Sequence, residues 1–151
     1  MFRRATAEDR TLLDEMSLAG VRYWGHHENH PEAYAGLVAQ LEQEFGPENH
    51  PVYILEENGE VVGFFELRDR GDHIELVRMF LVPHLIGAGY GRRLWDEAVA
   101  IAARTHDRML IMSDPGATGF YEAMGATLET EVTVAPGFAL GKYWFQLPAN
   151  A

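Results

Sequence analysis

Apolar residues recur along the chain at two spacings, which predict an alternation of helices and strands. Spacings of three and four residues predict helices over residues 12–21, 31–41, 90–106 and 114–124. Alternating or continuous apolar runs predict strands over residues 2–5, 52–56, 61–67, 74–82, 109–112, 128–134 and 142–147. Residues 24–31 fit neither spacing and separate the first two helices. The predicted order is therefore β-α-α-β-β-β-α-β-α-β-β.

Turn residues between the predicted strands indicate how these strands pair. Asn58-Gly59 lies between two apolar runs, and both residues tolerate positive φ, which predicts a β-hairpin. The strands at 74–82 and 109–112 are joined through a helix, so we expect them to be parallel. The chain is thus expected to be one α/β domain over residues 1–151, a mixed sheet with antiparallel early strands and a parallel central pair. Ligands of such sheets bind at the carboxyl ends of strands, beside a helix start.

Composition excludes several kinds of site and partner. The 151 residues include no Cys, which rules out disulfides, a cysteine-linked acyl-enzyme and Cys-based zinc sites, and fits a reducing cytoplasm. The net charge is −11, which argues against nucleic acid as a partner, because such proteins need a basic stripe. No apolar run approaches the roughly 18 residues of a membrane helix, and the N-terminus has no apolar signal segment. We therefore expect a cytoplasmic protein with no membrane partner.

A glycine-rich loop leaves a buried strand and enters a helix at residues 82–94 (VPHLIGAGYGRRL). The first turn of a helix offers unpaired N–H groups and partial positive charge, and glycines let a ligand approach the backbone. Together these features predict an anion site suited to a phosphate or pyrophosphate. Arg92 and Arg93 add fixed positive charge to the same turn. The alternative is that the glycines only shape a turn between strand and helix.

Two common phosphate-binding motifs do not fit this loop. A Walker P-loop needs Lys followed by Ser or Thr, whereas Arg92 and Arg93 follow Gly91. A dinucleotide-binding fingerprint needs its third glycine where Arg92 stands, and it opens a fold, whereas here several strands come first.

The loop resembles the acetyl-CoA-binding segment of the GNAT superfamily of N-acetyltransferases. That motif is Arg or Gln, two residues, Gly, one residue, and then Gly or Ala. Gly89 and Gly91 match its two small positions, and Ile86 departs from the Arg or Gln.

A second segment, residues 113–126 (SDPGATGFYEAMGA), resembles a later motif of the same family. The positions in register with that motif are Ala117, Phe120, Tyr121 and Gly125. Gly116 stands where Asn is common, and Ala126 stands where Phe is usual.

The resemblance implies a GNAT-like fold, acetyl-CoA as acyl-donor cosubstrate, and direct transfer to a primary amine of a small molecule or peptide. Such transfer needs a neutral amine, and a lysine-like amine has a pKa of about 10.4. Tyr121 is implied as the acid for the leaving thiolate, because its hydroxyl is protonated at neutral pH. Glu75 is implied as the base; His73, Glu66 and a chain of waters are its rivals.

The resemblance also implies which residues hold the cofactor. Main-chain groups of Leu81 and Val82 are expected to pair with pantetheine in the splay between the two parallel strands. The expected cofactor-binding residues are Leu81, Val82, Gly87, Ala88, Gly89, Tyr90, Gly91, Arg92, Asp114, Ala117 and Phe120.

Rings clustered in residues 24–34 predict where the acceptor binds, in an acidic surround that would attract a cationic amine. The candidate acceptor-binding residues are Trp24, His27 and Tyr34. The spacing of His26 and His30 permits a metal site, but Pro31 interrupts the stretch and no H-E-x-x-H pattern is present, so no metal is predicted. Solvated loop histidines are the plain alternative. Residues 134–138 would either close over the acceptor or form only a hairpin turn.

A non-catalytic acyl-CoA-binding sensor or interaction module is the alternative function. Tyr121 favours the enzyme, and Ile86 mildly favours the module. A homodimer is possible by the same resemblance, because the family often dimerises through its late strands.

Overall fold

The computed structural model describes residues 1–149. Its strands are β1 (Phe2–Arg4), β2 (Val52–Glu57), β3 (Glu60–Asp69), β4 (Ile74–Leu81), β5 (Arg108–Ser113), β6 (Thr127–Ala135) and β7 (Phe138–Gln146). Its α-helices are α1 (Arg10–Tyr23), α2 (His26–Asn29), α3 (Pro31–Gln43), α4 (Tyr90–Ala102) and α5 (Thr118–Ala123). Single 3₁₀ turns lie at Ala7–Asp9, Pro83–Leu85 and Pro115–Ala117. No helix within residues 1–149 is long and apolar enough to cross a membrane.

The strands form one sheet in the order β1-β2-β3-β4-β5-β7-β6. Only β4 and β5 run parallel among the paired strands of residues 1–149, and all the other neighbours are antiparallel. The predicted mixed α/β sheet with a parallel central pair is therefore confirmed. The Asn58-Gly59 hairpin is also confirmed, with positive φ at both residues.

A bulge in β4 opens the sheet at its centre. Glu66 of β3 pairs with Arg78, but the next residue of β3 pairs with Leu76, so Val77 is an extra residue in β4. Pairing between β4 and β5 ends at Leu76 and Ile111, beside this bulge. Beyond that point β4 continues along β3 while β5 continues along β7, and the two parallel strands separate.

Helices cover both faces of the sheet. On one face the core includes Leu94, Trp95 and Ala98 of α4, whose apolar residues repeat at three- and four-residue spacing. On the other face Leu13 and Met16 of α1 pack on β2 and β3. The gap between β4 and β5 therefore lies in the sheet, between the two layers of helices, and leaves room for a ligand between the strands.

Several boundaries differ from those predicted; α5, for example, begins at Thr118 after a 3₁₀ turn and not at residue 114. Residues 26–29 form the single turn of α2 instead of an irregular link, because Gly25 takes φ 76° and restarts the helix. Helix α4 ends at Ala102, four residues earlier than predicted. Beyond it, the N–H groups of Arg104 and Thr105 donate to carbonyls three residues back and not four. Strand β7 begins at Phe138, because Gly137 at φ 70° makes a tight turn.

Candidate active site

Two cavities meet where β4 separates from β5. The first, about 290 Å³, runs between the two strands towards the start of α4. The second, about 500 Å³, lies among α2, α3, β4 and the β6–β7 hairpin. The residues that line both are Val21, Val77, Arg78, Phe80, Met112 and Asp114. The two cavities therefore share a junction that each approaches from its own side.

The open edge of β4 carries backbone groups that no strand of the described chain occupies. Val82 N–H donates to Val62 O, and because N–H groups alternate along a strand, those of Leu81 and Met79 point away from β3. The carbonyl of Val82 accepts from Leu85 N–H. Both polar groups of Val82 are thus already hydrogen-bonded within the protein, whereas the N–H groups of Met79 and Leu81 face the opening.

The glycine loop presents a row of N–H groups at the start of α4. Gly87 and Gly89 both take φ 92°, which favours glycine, and a Cβ at either position would meet nothing within 4 Å. Within residues 1–149 no backbone acceptor pairs with the N–H groups of Gly87 or of residues 89–92. Ala88 differs from the other expected loop residues, because its N–H donates to Leu85 O.

Two arginines make the surroundings of this loop positive, and one of them is held in a salt bridge. Arg92 and Arg93 are both exposed; Arg93 pairs with Glu57 of β2 at 2.7 Å and lies over the Tyr90 ring. Open N–H groups, a helix start and a free guanidinium together fit an anionic group such as a pyrophosphate. The apolar Ile86, 42% exposed, lines the first cavity near this loop.

Helix α5 closes the first cavity against α4. Ala117, Phe120 and Tyr121 all line it, as does Gly91. A Cβ on Gly91 would lie 3.1 Å from Cε1 of Phe120, so this glycine permits the close approach of α4 and α5.

Tyr121 is buried in the wall of the first cavity. Its ring packs near Trp95 and Phe120, at centroid distances of 5.9 and 5.3 Å. Burial, with a smaller contribution from the carboxylate of Asp114, raises the pKa of Tyr121 above its ordinary value of 10.0. The hydroxyl therefore stays protonated throughout the neutral range and can donate a hydrogen bond or a proton.

Asp114 connects the two cavities. Its carboxylate accepts from Gly116 N–H at 2.7 Å, as expected of the residue that caps this turn. The same carboxylate contacts Nε2 of His26 at 2.8 Å, which ties α2 to the end of β5.

The structure separates Trp24 from the other two residues predicted for the acceptor, His27 and Tyr34, whose rings lie 6.2 Å apart. Trp24 lines the first cavity and packs on Gly116, where a Cβ would lie 2.6 Å from the indole. His27 and Tyr34 line neither cavity. His27 pairs with Glu28 at 3.5 Å, and the Tyr34 hydroxyl accepts from Arg22 at 2.9 Å.

His26, the neighbour of His27, does line the second cavity. It is buried, and its ring lies 4.9 Å from that of Phe138 in the hairpin. The sequence places His26 in the ring cluster, but its partner lies 88 residues away, and local spacing carries no signal of that contact. Within the described part of the chain, no group of three His, Asp or Glu side chains is placed to hold a metal ion.

Glu75, the expected base, lines the second cavity but is already paired. Its Oε1 accepts from Arg70 Nε at 2.8 Å and lies 2.6 Å from Nη2. Of its named rivals, Glu66 is fully buried in an ion pair with Arg78, and His73 lies beside Asp72 at 2.6 Å.

Comparison with known proteins agrees with this geometry. The model of the Acetyltransferase (GNAT) family matches residues 13–126. A search of curated proteins gives no significant match. Among solved structures, a GCN5-related N-acetyltransferase from Rhodopseudomonas palustris is 22% identical with a TM-score of 0.76, over 97% of this chain and 95% of that chain. The PaiA N-acetyltransferase from Thermoplasma acidophilum, solved with coenzyme A, is 16% identical with a TM-score of 0.75, over 97% and 98%.

The chain belongs to the GNAT family of acetyltransferases. The predictions of this family, of an acyltransferase and of acetyl-CoA as its donor are thereby confirmed. A third solved structure, the putative acetyltransferase YncA from Salmonella typhimurium with acetyl-CoA, is 18% identical with a TM-score of 0.67, over 100% of this chain and 95% of that chain. The glycine loop and the β4–β5 opening are where the residues of this chain fit such a donor.

Proposed function

We propose that the protein transfers the acetyl group of acetyl-CoA directly to a primary amine, with the donor in the first cavity and the amine in the second. The observation that carries this proposal is the junction of the two cavities at the end of the β4–β5 pairing. It lets a thioester and an amine meet inside the protein, where their relative orientation is fixed.

The donor is assigned to the residues that the structure leaves unpaired. The N–H groups of Gly87 and of residues 89–92 would hold the pyrophosphate, and Arg92 would add charge. Backbone groups of Met79 and Leu81 would pair with pantetheine as a neighbouring strand would. The thioester supplies an activated acyl group, and Tyr121 would donate its proton to the departing sulfur.

The lining of the second cavity supports an amine carried on an apolar body. Its apolar walls come from α3, β4 and the hairpin, and include Leu37, Phe80 and Phe138. Glu32 and Glu75 line the same cavity and would attract an alkylammonium group. We propose an arylalkylamine or a peptide amine beside an apolar side chain as the acceptor class, with Trp24 as part of the wall near the donor.

The proposal is tested by incubating the protein with acetyl-CoA and a panel of amines. The panel contains 2-phenylethylamine, spermidine and a short peptide with a free N-terminus, and both released thiol and acetylated amine are measured. We expect stoichiometric thiol and amide, fastest with 2-phenylethylamine. Binding of acetyl-CoA without transfer to any amine would contradict the proposal and favour a non-catalytic acyl-CoA sensor. Faster transfer to spermidine would contradict the acceptor class alone.

A further inference from the structure

His26 and Asp114 form a side-chain pair at the junction of the two cavities. Nε2 of His26 lies 2.8 Å from Oδ2 of Asp114 and 3.0 Å from Oδ1. Asp114 lines both cavities, and His26 lines the second. The imidazole therefore stands beside the place where the amine would meet the thioester.

Asp114 determines which nitrogen of neutral His26 carries the proton. A carboxylate only accepts hydrogen bonds, so Nε2 donates to it and the lone pair remains on Nδ1. Within residues 1–149, Nδ1 of His26 has no hydrogen-bond partner. It also keeps some exposure to solvent, because Nδ1 of His27 is the one fully buried side-chain nitrogen or oxygen without a partner in that part of the chain. The lone pair of Nδ1 is therefore free on a residue that lines the second cavity.

Packing holds the imidazole in one orientation. His26 is 8% exposed, and its ring meets Phe138 edge-on at 4.9 Å and His30 at 5.7 Å. Gly25, at φ 76°, starts the single turn of α2 that carries His26. A base needs a fixed position and a free lone pair, and His26 has both; Glu75, whose Oε1 accepts from Arg70, is its rival in the same cavity.

We propose that His26, oriented by Asp114, is the general base that deprotonates the acceptor amine; this rests on the proposed function. The bound ammonium passes one proton to Nδ1, the N–C bond forms, and the C–S bond breaks. Tyr121 gives its proton to the sulfur. The nitrogen gives up two protons in all: one restores Tyr121 by way of His26 and solvent, and the other leaves to solvent.

Other charged groups surround His26, and any pH profile includes them. The ring of His30 lies 5.7 Å from that of His26, and the titratable or charged groups that line the same cavity are Glu32, Glu75, Arg78 and Asp114. If His26 is the base, the loss of activity in a variant without it should shrink as pH rises. An amine of pKa about 10 deprotonates itself at high pH and then needs no base.

The test compares His26→Gln with wild type for acetylation of 2-phenylethylamine between pH 6 and pH 10. The Gln amide retains a donor towards Asp114 but cannot accept the proton. We expect kcat to fall about 100-fold at pH 7, the deficit to shrink to about tenfold or less at pH 10, and calorimetric acetyl-CoA affinity to stay within twofold. The control is His106→Gln, because His106 also pairs with a carboxylate, Asp69 at 3.0 Å, but lines neither cavity; it should keep full activity.

Asp114→Asn provides a second variant if His26→Gln does not fold. The Asn oxygen still accepts from Gly116 and His26, but the negative charge is lost, and we expect about a tenfold loss at pH 7 with the same recovery. An equal deficit at every pH, or full activity, would overturn the assignment. A pH-dependent loss in Glu75→Gln alone would move the base to Glu75. If wild type acetylates no amine of the panel, the proposed function fails instead.

Discussion

Arg78 and Glu66 face each other across β4 and β3 as an ion pair that is almost completely removed from solvent. Their side chains are 1% and 0% exposed, and Arg78 Nε lies 2.9 Å from Oε1 of Glu66. Arg78 Nη1 also donates to Ser17 of α1 at 2.9 Å, and the second Glu66 oxygen lies 2.7 Å from His50 Nδ1. The network joins α1 to the sheet one residue beyond the Val77 bulge. It therefore supports the part of β4 that stands free of β5.

Removal of Arg78 is expected to destabilise the protein strongly. In Arg78→Met the Glu66 carboxylate stays buried without its guanidinium partner, which costs roughly 3–5 kcal/mol. Urea unfolding of the purified variant measures this. The matched control is Arg108→Met, whose partner Asp72 is 72% exposed, and we expect a change of about 1 kcal/mol or less. Similar losses in both variants would contradict the role given to the buried network.

Acid stability is expected to depend on Asp9. Hydrogen bonds from Arg3, at 2.9 and 3.0 Å, lower the pKa of Asp9 below its ordinary value of 3.8. The pKa of Asp9 is lower in the folded state than in the unfolded state. The stabilisation by this carboxylate is therefore complete above the unfolded-state pKa and is lost as pH falls through the folded-state pKa. Asp9→Asn should lower the melting temperature at pH 7 and flatten its decline below pH 4. Asp96→Asn, an exposed position on α4, should leave the decline unchanged; a flattened curve there would refute this account.

Tyr121→Phe separates donor binding from proton donation. The ring and its packing on Trp95 remain, so acetyl-CoA affinity should change less than twofold. Turnover should fall about 100-fold, because the leaving sulfur loses its proton donor. The raised pKa of Tyr121 also means that wild-type activity should not fall between pH 7 and pH 10 through ionisation of this residue. Unchanged turnover in the variant would remove Tyr121 from the mechanism.

Ile86→Gln is expected to strengthen donor binding. Ile86 lines the first cavity where the family motif has a polar residue, and the variant offers one more hydrogen-bond donor near the pyrophosphate site. One hydrogen bond contributes about 0.5–1.5 kcal/mol, which corresponds to roughly two- to tenfold in affinity. His84→Gln, an exposed position two residues earlier, serves as control. Unchanged binding by Ile86→Gln would show that the side chain at position 86 does not face the ligand, and weaker binding would contradict the added hydrogen bond.

Sequence pattern predicted the fold better than the site. The order of helices and strands along the chain and the parallel pair followed from apolar runs and from the helix between the two strands, because these are local signals. The position of β7 between β5 and β6 in the sheet did not. The Val77 bulge did not, because an apolar run looks the same with or without one extra residue. The hydrogen bonds of Val82 depend on strand register, and the contact of His26 with Asp114 joins residues 88 positions apart. Such long-range contacts leave no trace in local spacing.

The most direct test is a calorimetric titration of acetyl-CoA into wild type, Gly89→Ala and Gly71→Ala. Gly89 and Gly71 have φ of 92° and 91°, and a Cβ at either meets nothing within 4 Å, so both variants carry the same backbone strain of about 1–2 kcal/mol. Only Gly89 lies in the loop assigned to the pyrophosphate. We predict saturable one-to-one binding by wild type and Gly71→Ala, and at least tenfold weaker binding by Gly89→Ala. No binding by wild type, or equal binding by all three proteins, would contradict the assignment of the donor site.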